Sequence, residues 1–305
     1  MATPQTGIFA LGDAAHIYLE FLVKPGTDAE TLVRAALAIQ EPRTTVGGVN
    51  AVVGFRPELW RKVAPDDTPA ELTGFNAPLA GAAGYSMPAT QADLFLWIAG
   101  ASYDVVFDLG GEAIAKLANV ASPIRELDGW SYRHSRDLTG FEDGTKNPAL
   151  MIAPSIATVP DGSPGAGGSV LLFQQWEHQT AAWEGIGDAA QERVIGRTKP
   201  DSVEFPEATM PKDSHVSRTT VDVDGTERKI FRRNTAYGNV TTHGTVFVGF
   251  SADQQRLNLM LRQMAGSDDG VRDALTKYTT VLTGAYYFVP SLQALQRFAP
   301  PQEDD

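Results

Sequence analysis

The chain has 305 residues, about twice the roughly 150 of an average domain, and is 43% hydrophobic and 20% charged, so two compact units are expected and wholesale disorder is excluded. Its 25 basic and 37 acidic side chains give a net charge of −12, which removes the cationic surface that nucleic acid or an anionic membrane would need. The absence of cysteine excludes disulfides, zinc–thiolate sites, iron–sulfur clusters, thiol nucleophiles and haem held by thiolate or thioether bonds.

Residues 1–15 place no Lys or Arg ahead of their apolar positions, so neither a secretory n-region nor a twin-arginine signal is present and a cytoplasmic location is expected. Residues 15–24 (AHIYLEFLVK) alternate, with Ile17, Leu19, Phe21 and Val23 on one side and Tyr18, Glu20 and Lys24 on the other, which predicts a half-buried strand. Pro25-Gly26 makes a turn, and Thr27 with Glu30 has capping-box spacing, predicting a helix over 27–39. Strands are expected at 45–55 and 93–99 (DLFLWIA), then a helical face at Ile114, Leu117 and Ala121, then a closing strand at 122–134. The most apolar stretch, 94–109, is broken by Gly100, Asp104 and Asp108 and is too short to span a bilayer.

Beyond the Gly/Ser/Pro-rich segment 160–168, residues 169–176 (SVLLFQQW) again predict a strand, with helix-compatible sequence to Arg197. Residues 245–250 (TVFVGF) predict another strand, and Ser251 with Gln254 repeats the capping spacing before a helical face at Leu257, Leu261 and Met264. Each half therefore opens strand-then-helix and later runs an apolar strand into a helix. This order implies two α+β units, each an antiparallel sheet with helices on one face in a ferredoxin-like arrangement, joined near 145–165.

The run GFEDGTKNP at 140–148 has two readings: ordinary Asp-Gly and Asn-Pro turn chemistry, or glycines that let backbone approach a planar ligand and present Asp143 to it. Of the five histidines, His16, His134, His178, His215 and His243, none is paired at a spacing of three or four, which disfavours a helical metal site. His215 lies in a polar loop, and a single histidine suits haem better than a bare metal ion. The likeliest strand before FRRN is 226–231; alternation would place Arg232 and Asn234 on one side and Arg233 on the other, or the arginines are simply a solvated pair. Five tryptophans and eight tyrosines offer rings for electron relay, but the sequence singles out none.

Taken together, GFEDGTKNP, then His215, then Arg232-x-Asn234, then TGAYYFVPS at 283–291 resemble the dye-decolorising peroxidases, in particular their bacterial P-type (formerly B-type) branch. The resemblance runs from residue 15 to 291. It implies two ferredoxin-like domains of the dimeric α+β barrel kind, residues 1–145 ending in the GxxDG loop and 146–305 binding haem b. His215 is then the proximal iron ligand; its candidate carboxylate partner is Asp273, in the stretch 271–278 where Val271, Leu275 and Tyr278 have helical spacing, or Asp273 is simply an exposed helix residue. Asp143, Arg232 and Asn234 form the distal set, Phe247 is an apolar residue over the distal face, and Gly144 gives close backbone approach. The implied activity is reduction of hydrogen peroxide through a ferryl intermediate and oxidation of dyes, phenols or similar aromatic donors; the alternative is a haem carrier or haem-handling protein with incidental peroxidase activity. A homo-oligomer is expected, and the acidic end at 300–305, lacking an apolar tag, argues against encapsulin loading.

Overall fold

Eight strands close on themselves in the computed structural model, which describes residues 2–40, 48–133 and 136–299. In chain order they are β1 (Ala15–Val23), β2 (Val49–Phe55), β3 (Leu94–Gly100), β4 (Ala121–Trp130), β5 (Ser169–His178), β6 (Thr235–Gly238), β7 (His243–Ser251) and β8 (Ala285–Val289). The first four pair in the order β4-β1-β3-β2 and the last four in the order β6-β7-β5-β8, the same arrangement in each half, with every pairing antiparallel. Two seams join the halves into one ring: Gly129 of β4 opposite Tyr237 of β6, and Phe55 of β2 opposite Phe288 of β8. Glycine permits close approach at both seams. A Cβ on Gly129 would lie 2.5 Å from Thr235 Oγ1, and one on Gly54 would lie 2.9 Å from Tyr287 Cβ.

Because side chains alternate along every strand, the closed sheet has two cores. One fills the barrel with Tyr18, Phe95, Trp97, Phe173, Phe250 and Tyr287. The other lies outside, where Ile17, Leu19, Phe21, Leu96 and Ile98 meet helices α1 (Ala29–Gln40) and α2 (Tyr103–Leu117), and Leu172 lies in the same layer. Strand β1 is thus buried on both faces from Ala15 to Phe21, not half-buried, and its polar-looking side, with His16 and Glu20, faces the barrel interior. Alternation reports polarity; it cannot report that closure buries the second face.

Local boundaries differ from expectation for identifiable reasons. Asp28, not Thr27, caps α1, its carboxylate accepting from Thr31 N–H at 2.8 Å, and the helix starts at Ala29. Helix α2 ends at Leu117, and Ala121 opens β4, which ends at Trp130; the remainder of the expected 45–55 and 122–134 strands includes residues 45–47 and 134, outside the described residues. The acidic tail at 300–305, expected to lack encapsulin loading, also lies outside them. In the second half, α3 (His215–Thr219) is a short helix, and α4 (Gln254–Ala265) is capped by Asp253, which accepts from Arg256 N–H at 3.0 Å, since Ser251 is still in β7. The 226–231 region is a two-residue hairpin arm and then a separate short strand, Phe231–Arg232, on the edge of β7. Among the described residues no helix is long and apolar enough to cross a membrane.

Candidate active site

The loop leaving β4 is fixed before it offers any chemistry. Arg136 donates to the carbonyls of Gly140, Lys199 and Pro200 at 2.8, 3.2 and 3.1 Å, and Asp137 accepts from the amide and hydroxyl of Thr139. Gly144, at φ +77°, turns its N–H onto Asp143 Oδ1 at 2.7 Å, a conformation that L side chains rarely adopt. Asn147 then acts as a one-residue strand: its amide accepts from Arg232 N–H and donates to Arg232 C=O, both at 2.9 Å. This clamp brings Asp143 to Arg232, with Oδ1 and Nη2 4.0 Å apart. That gap exceeds a hydrogen bond, so a small polar molecule can bridge the pair. Asn147 stands inside the sequence run but reads there only as turn chemistry.

Along 231–235 the chain alternates. Arg232 and Asn234 line a cavity together with Phe247, and Asn234 Oδ1 accepts from Val248 N–H at 3.2 Å. Arg233 turns into the barrel, where its guanidinium sits 5.0 Å from the Trp97 ring centroid and donates to Ile8 C=O at 2.9 Å. Thr235 follows it inward, its hydroxyl 3.1 Å from that of Tyr18.

Opposite, His215 opens α3 behind Ser214, whose hydroxyl caps the helix. Its Nδ1 lies 2.7 Å from Asp273 Oδ2, and Asp273 is fully buried, its other oxygen accepting from Leu275 N–H at 2.9 Å. A carboxylate can only accept, so Nδ1 donates to it, and in the neutral tautomer this bond selects the lone pair sits on Nε2. Asp273 is the cap of a short 3-10 turn, Ala274–Lys277, where helical spacing predicted a longer face. Among the described residues no group of three or more His, Asp or Glu is placed to hold a bare metal ion.

These groups meet in a cavity of two adjoining lobes, about 110 and 90 Å³, both lined by Asp143, His215 and Arg232. The smaller has apolar walls in Phe247, Trp176, Met260 and Met264; the larger is lined by Lys146, Arg228, Lys229 and Arg256 together with Glu142 and Glu227. A third, open compartment of about 440 Å³ lies against Asp143, Arg232, Arg233 and Asn234 and extends to Asp13 and His16; Gly144 lines this one and neither lobe. Asp137, which the sequence did not single out, borders all three, and burial pushes its carboxyl up to about 6 against the Thr139 hydrogen bond, with the Asp143 charge adding to the rise.

Comparison with known proteins gives this geometry its family. A family model described as Dyp-type peroxidase, C-terminal, matches residues 134–294. The dye-decolorizing peroxidase of Mycobacterium tuberculosis is 33% identical over 98% of this chain and 91% of its own length, and that of Mycolicibacterium paratuberculosis is 34% identical over 96% and 84%. Among solved structures, a variant of DypB from Rhodococcus jostii RHA1 in complex with heme superposes with a TM-score of 0.89 at 34% identity, covering 97% of this chain and 99% of that one. A dye-decolorizing protein from V. cholerae gives 0.86 at 33% identity over 96% and 99%. The chain belongs to the dye-decolorizing peroxidase family.

Proposed function

We propose that this peroxidase binds haem b in the two-lobed cavity and uses it to reduce hydrogen peroxide at the expense of dyes, phenols or similar aromatic donors. The residues present fit such a group. His215 would hold the iron through Nε2, and its bond to buried Asp273 would make the imidazole a stronger donor. The smaller lobe offers apolar walls to a macrocycle, and the cations lining the larger lobe suit its carboxylates. In this reading residues 146–305 hold the group and residues 1–145 contribute Asp143 from the loop that ends them. Bound there, haem supplies a centre that peroxide oxidises by two electrons and donors restore in single-electron steps.

The protein's own part is proton and charge management. The Asp143 carboxylate takes the proton from the near oxygen of peroxide and returns it to the far one, which leaves as water. Arg232 stays cationic and stabilises negative charge as the O–O bond breaks. Asn234, fixed by Val248 N–H, orients the same small molecule, and Phe247 keeps the space narrow and dry. The outer compartment is the route by which peroxide arrives.

One observation carries this reading: a carboxylate-anchored histidine and an Asp–Arg pair line the same cavity. Stopped-flow mixing of loaded protein with one equivalent of peroxide tests it. A fast change in cofactor absorption, reversed by an aromatic donor over many turnovers, is expected. Slow or absent reaction, with ready transfer of haem to an acceptor protein, would instead establish the haem-handling alternative.

A further inference from the structure

Inside the barrel, away from the cavity, the structure holds a buried phenol against a buried carboxylate. Tyr287 donates its hydroxyl to Glu20, and Glu20 pairs with Arg125; Tyr287 and Glu20 are both fully buried, whereas the Arg125 side chain is 23% exposed. Burying an ion pair costs more than burying apolar residues of the same volume, so packing alone does not account for Glu20 on β1. A continuous series of rings connects this pair to the active site. Trp97 Nε1 donates to Nδ1 of His16, which borders the outer compartment beside Arg232 and Asp143. From Trp97 the ring centroids run 5.9 Å to Tyr18, 6.4 Å to Phe95 and 5.1 Å to Tyr287. The Tyr18 hydroxyl also touches Thr235, the neighbour of Asn234.

The chemistry of ring oxidation picks out one member of this series. A phenol that loses an electron becomes a strong acid and needs a base within hydrogen-bond reach. Tyr18 and Tyr286 bond to Thr235 and Asn258, neither of them a base, while Tyr287 is the buried tyrosine whose hydroxyl meets a carboxylate. Trp97 lies under the Arg233 guanidinium, a cation that opposes positive charge on the ring. Burial raises the Glu20 carboxyl above its ordinary range, which strengthens it as a base toward the phenol proton, and the Arg125 charge opposes part of that rise.

We propose that Tyr287 is a redox-active residue: one of the two electrons that peroxide withdraws is resupplied by its ring through Phe95, Tyr18 and Trp97, while its phenol proton passes to Glu20. Peroxide takes two electrons and two protons to become two waters; the site contributes one of those electrons and is left as a neutral tyrosyl radical beside a protonated carboxyl. One electron from an aromatic donor, with return of the proton from Glu20, restores it. The barrel interior thereby stores an oxidising equivalent away from solvent when donor is scarce. The inference rests on the haem reading above.

Freeze-quench electron paramagnetic resonance on the haem-loaded protein, mixed with one equivalent of peroxide and no donor, tests it while absorption is followed in parallel. A tyrosyl signal that narrows when tyrosine is ring-deuterated, vanishes in Tyr287→Phe, falls several-fold in Glu20→Gln and persists in Tyr286→Phe is expected, with the absorption change intact throughout. If peroxide changes the absorption but no tyrosyl signal forms, or the signal survives Tyr287→Phe, the assignment is overturned and the haem reading stands. If absorption does not change at all, the haem reading fails and this inference falls with it.

Discussion

The two halves of the ring share a strand order, yet the layer between sheet and helices is packed solid in one and hollow in the other. In the first half α1 and α2 fill that layer with Leu32, Val33, Ala36, Val106, Ala113 and Leu117. In the second half α4 gives Leu257 and Leu261 to the core but turns Met260 and Met264 toward open lobes. The connections differ as well. A single helix links β1 to β2, whereas 179–234 between β5 and β6 holds the short helices Thr180–Gly185 and Asp188–Ile195 and then the loop that delivers His215. A site arises here because one copy of a common architecture leaves its second layer unfilled and spends a long connection on a ligand; the other copy contributes the loop after β4.

If the hollow half is where function resides, substitutions there should remove activity without unfolding the protein, and substitutions in the packed interior should do the reverse. The largest effect is expected from His215→Ala, which should lose most bound haem, measured as cofactor absorption per protein after reconstitution, while the melting temperature of the cofactor-free protein stays put. Full occupancy with an unchanged ferric spectrum would break the assignment. Asp143→Asn should keep haem and slow the reaction with peroxide by roughly 10²–10⁴-fold, the range of general acid–base groups. A near-native rate would leave Arg232 as the essential distal side chain.

The adjacent arginines provide the sharpest form of the comparison, since both border the outer compartment but only Arg232 also lines the two lobes. Arg232→Ala should slow the peroxide reaction by about 10²–10³-fold, as loss of a preorganised charge does, with little change in melting. Arg233→Ala removes the contact over Trp97 and the bond to Ile8 C=O, so it should cost roughly 2 kcal/mol of stability and leave the peroxide rate nearly unchanged. Equal kinetic effects from the two would mean that alternation does not separate the compartments.

Most of this was legible in the sequence where a signal is local. Strand alternation and helical spacing give the order of elements, and the GFEDGTKNP run with His215 and Arg232-x-Asn234 gives the residues that line the cavity. What was not legible depends on closure or on long range. Nothing local says that β1 is buried twice, because the strands that cover His16, Tyr18 and Glu20 come from elsewhere in the ring. The clamp from Asn147 to Arg232 spans tens of residues, and an Asn before a proline looks the same in any turn, whereas the pairing of His215 with Asp273, just as remote, is one the sequence did point to. Asp137 was missed for a related reason: its environment, not its neighbours in sequence, lifts its carboxyl.

The smallest effect separates the two regions by pH. Burial, with the Arg233 charge adding, lowers His16 to about 4 where the barrel interior meets the outer compartment, and burial with nearby His243 lowers His178 to about 4 beside the cavity. A base with a depressed folded-state pKa stabilises fully above its ordinary 6.5 and loses that contribution as pH falls through about 4, because only the unfolded chain takes up the proton in between. Asp137 acts in the opposite sense: its raised carboxyl contributes below 3.8, and the contribution fades as pH rises through about 6. The two histidines therefore tilt the melting temperature of the cofactor-free protein downward from pH 7 to pH 4, against the opposite tilt from Asp137 and the raised carboxyls of Asp13, Glu20 and Asp67. His16→Gln, whose amide oxygen can still accept from Trp97, should flatten that slope by on the order of a few degrees, and Asp137→Asn should steepen it. Filling the cavity with haem would deepen the burial of His178 and not of His16, so loading should alter the pH profile of His16→Gln, which keeps His178, and leave that of His178→Gln, which lacks it, where it was. Parallel melting curves for the unsubstituted protein and His16→Gln from pH 7 to pH 4 would show that the barrel interior does not hold His16 neutral.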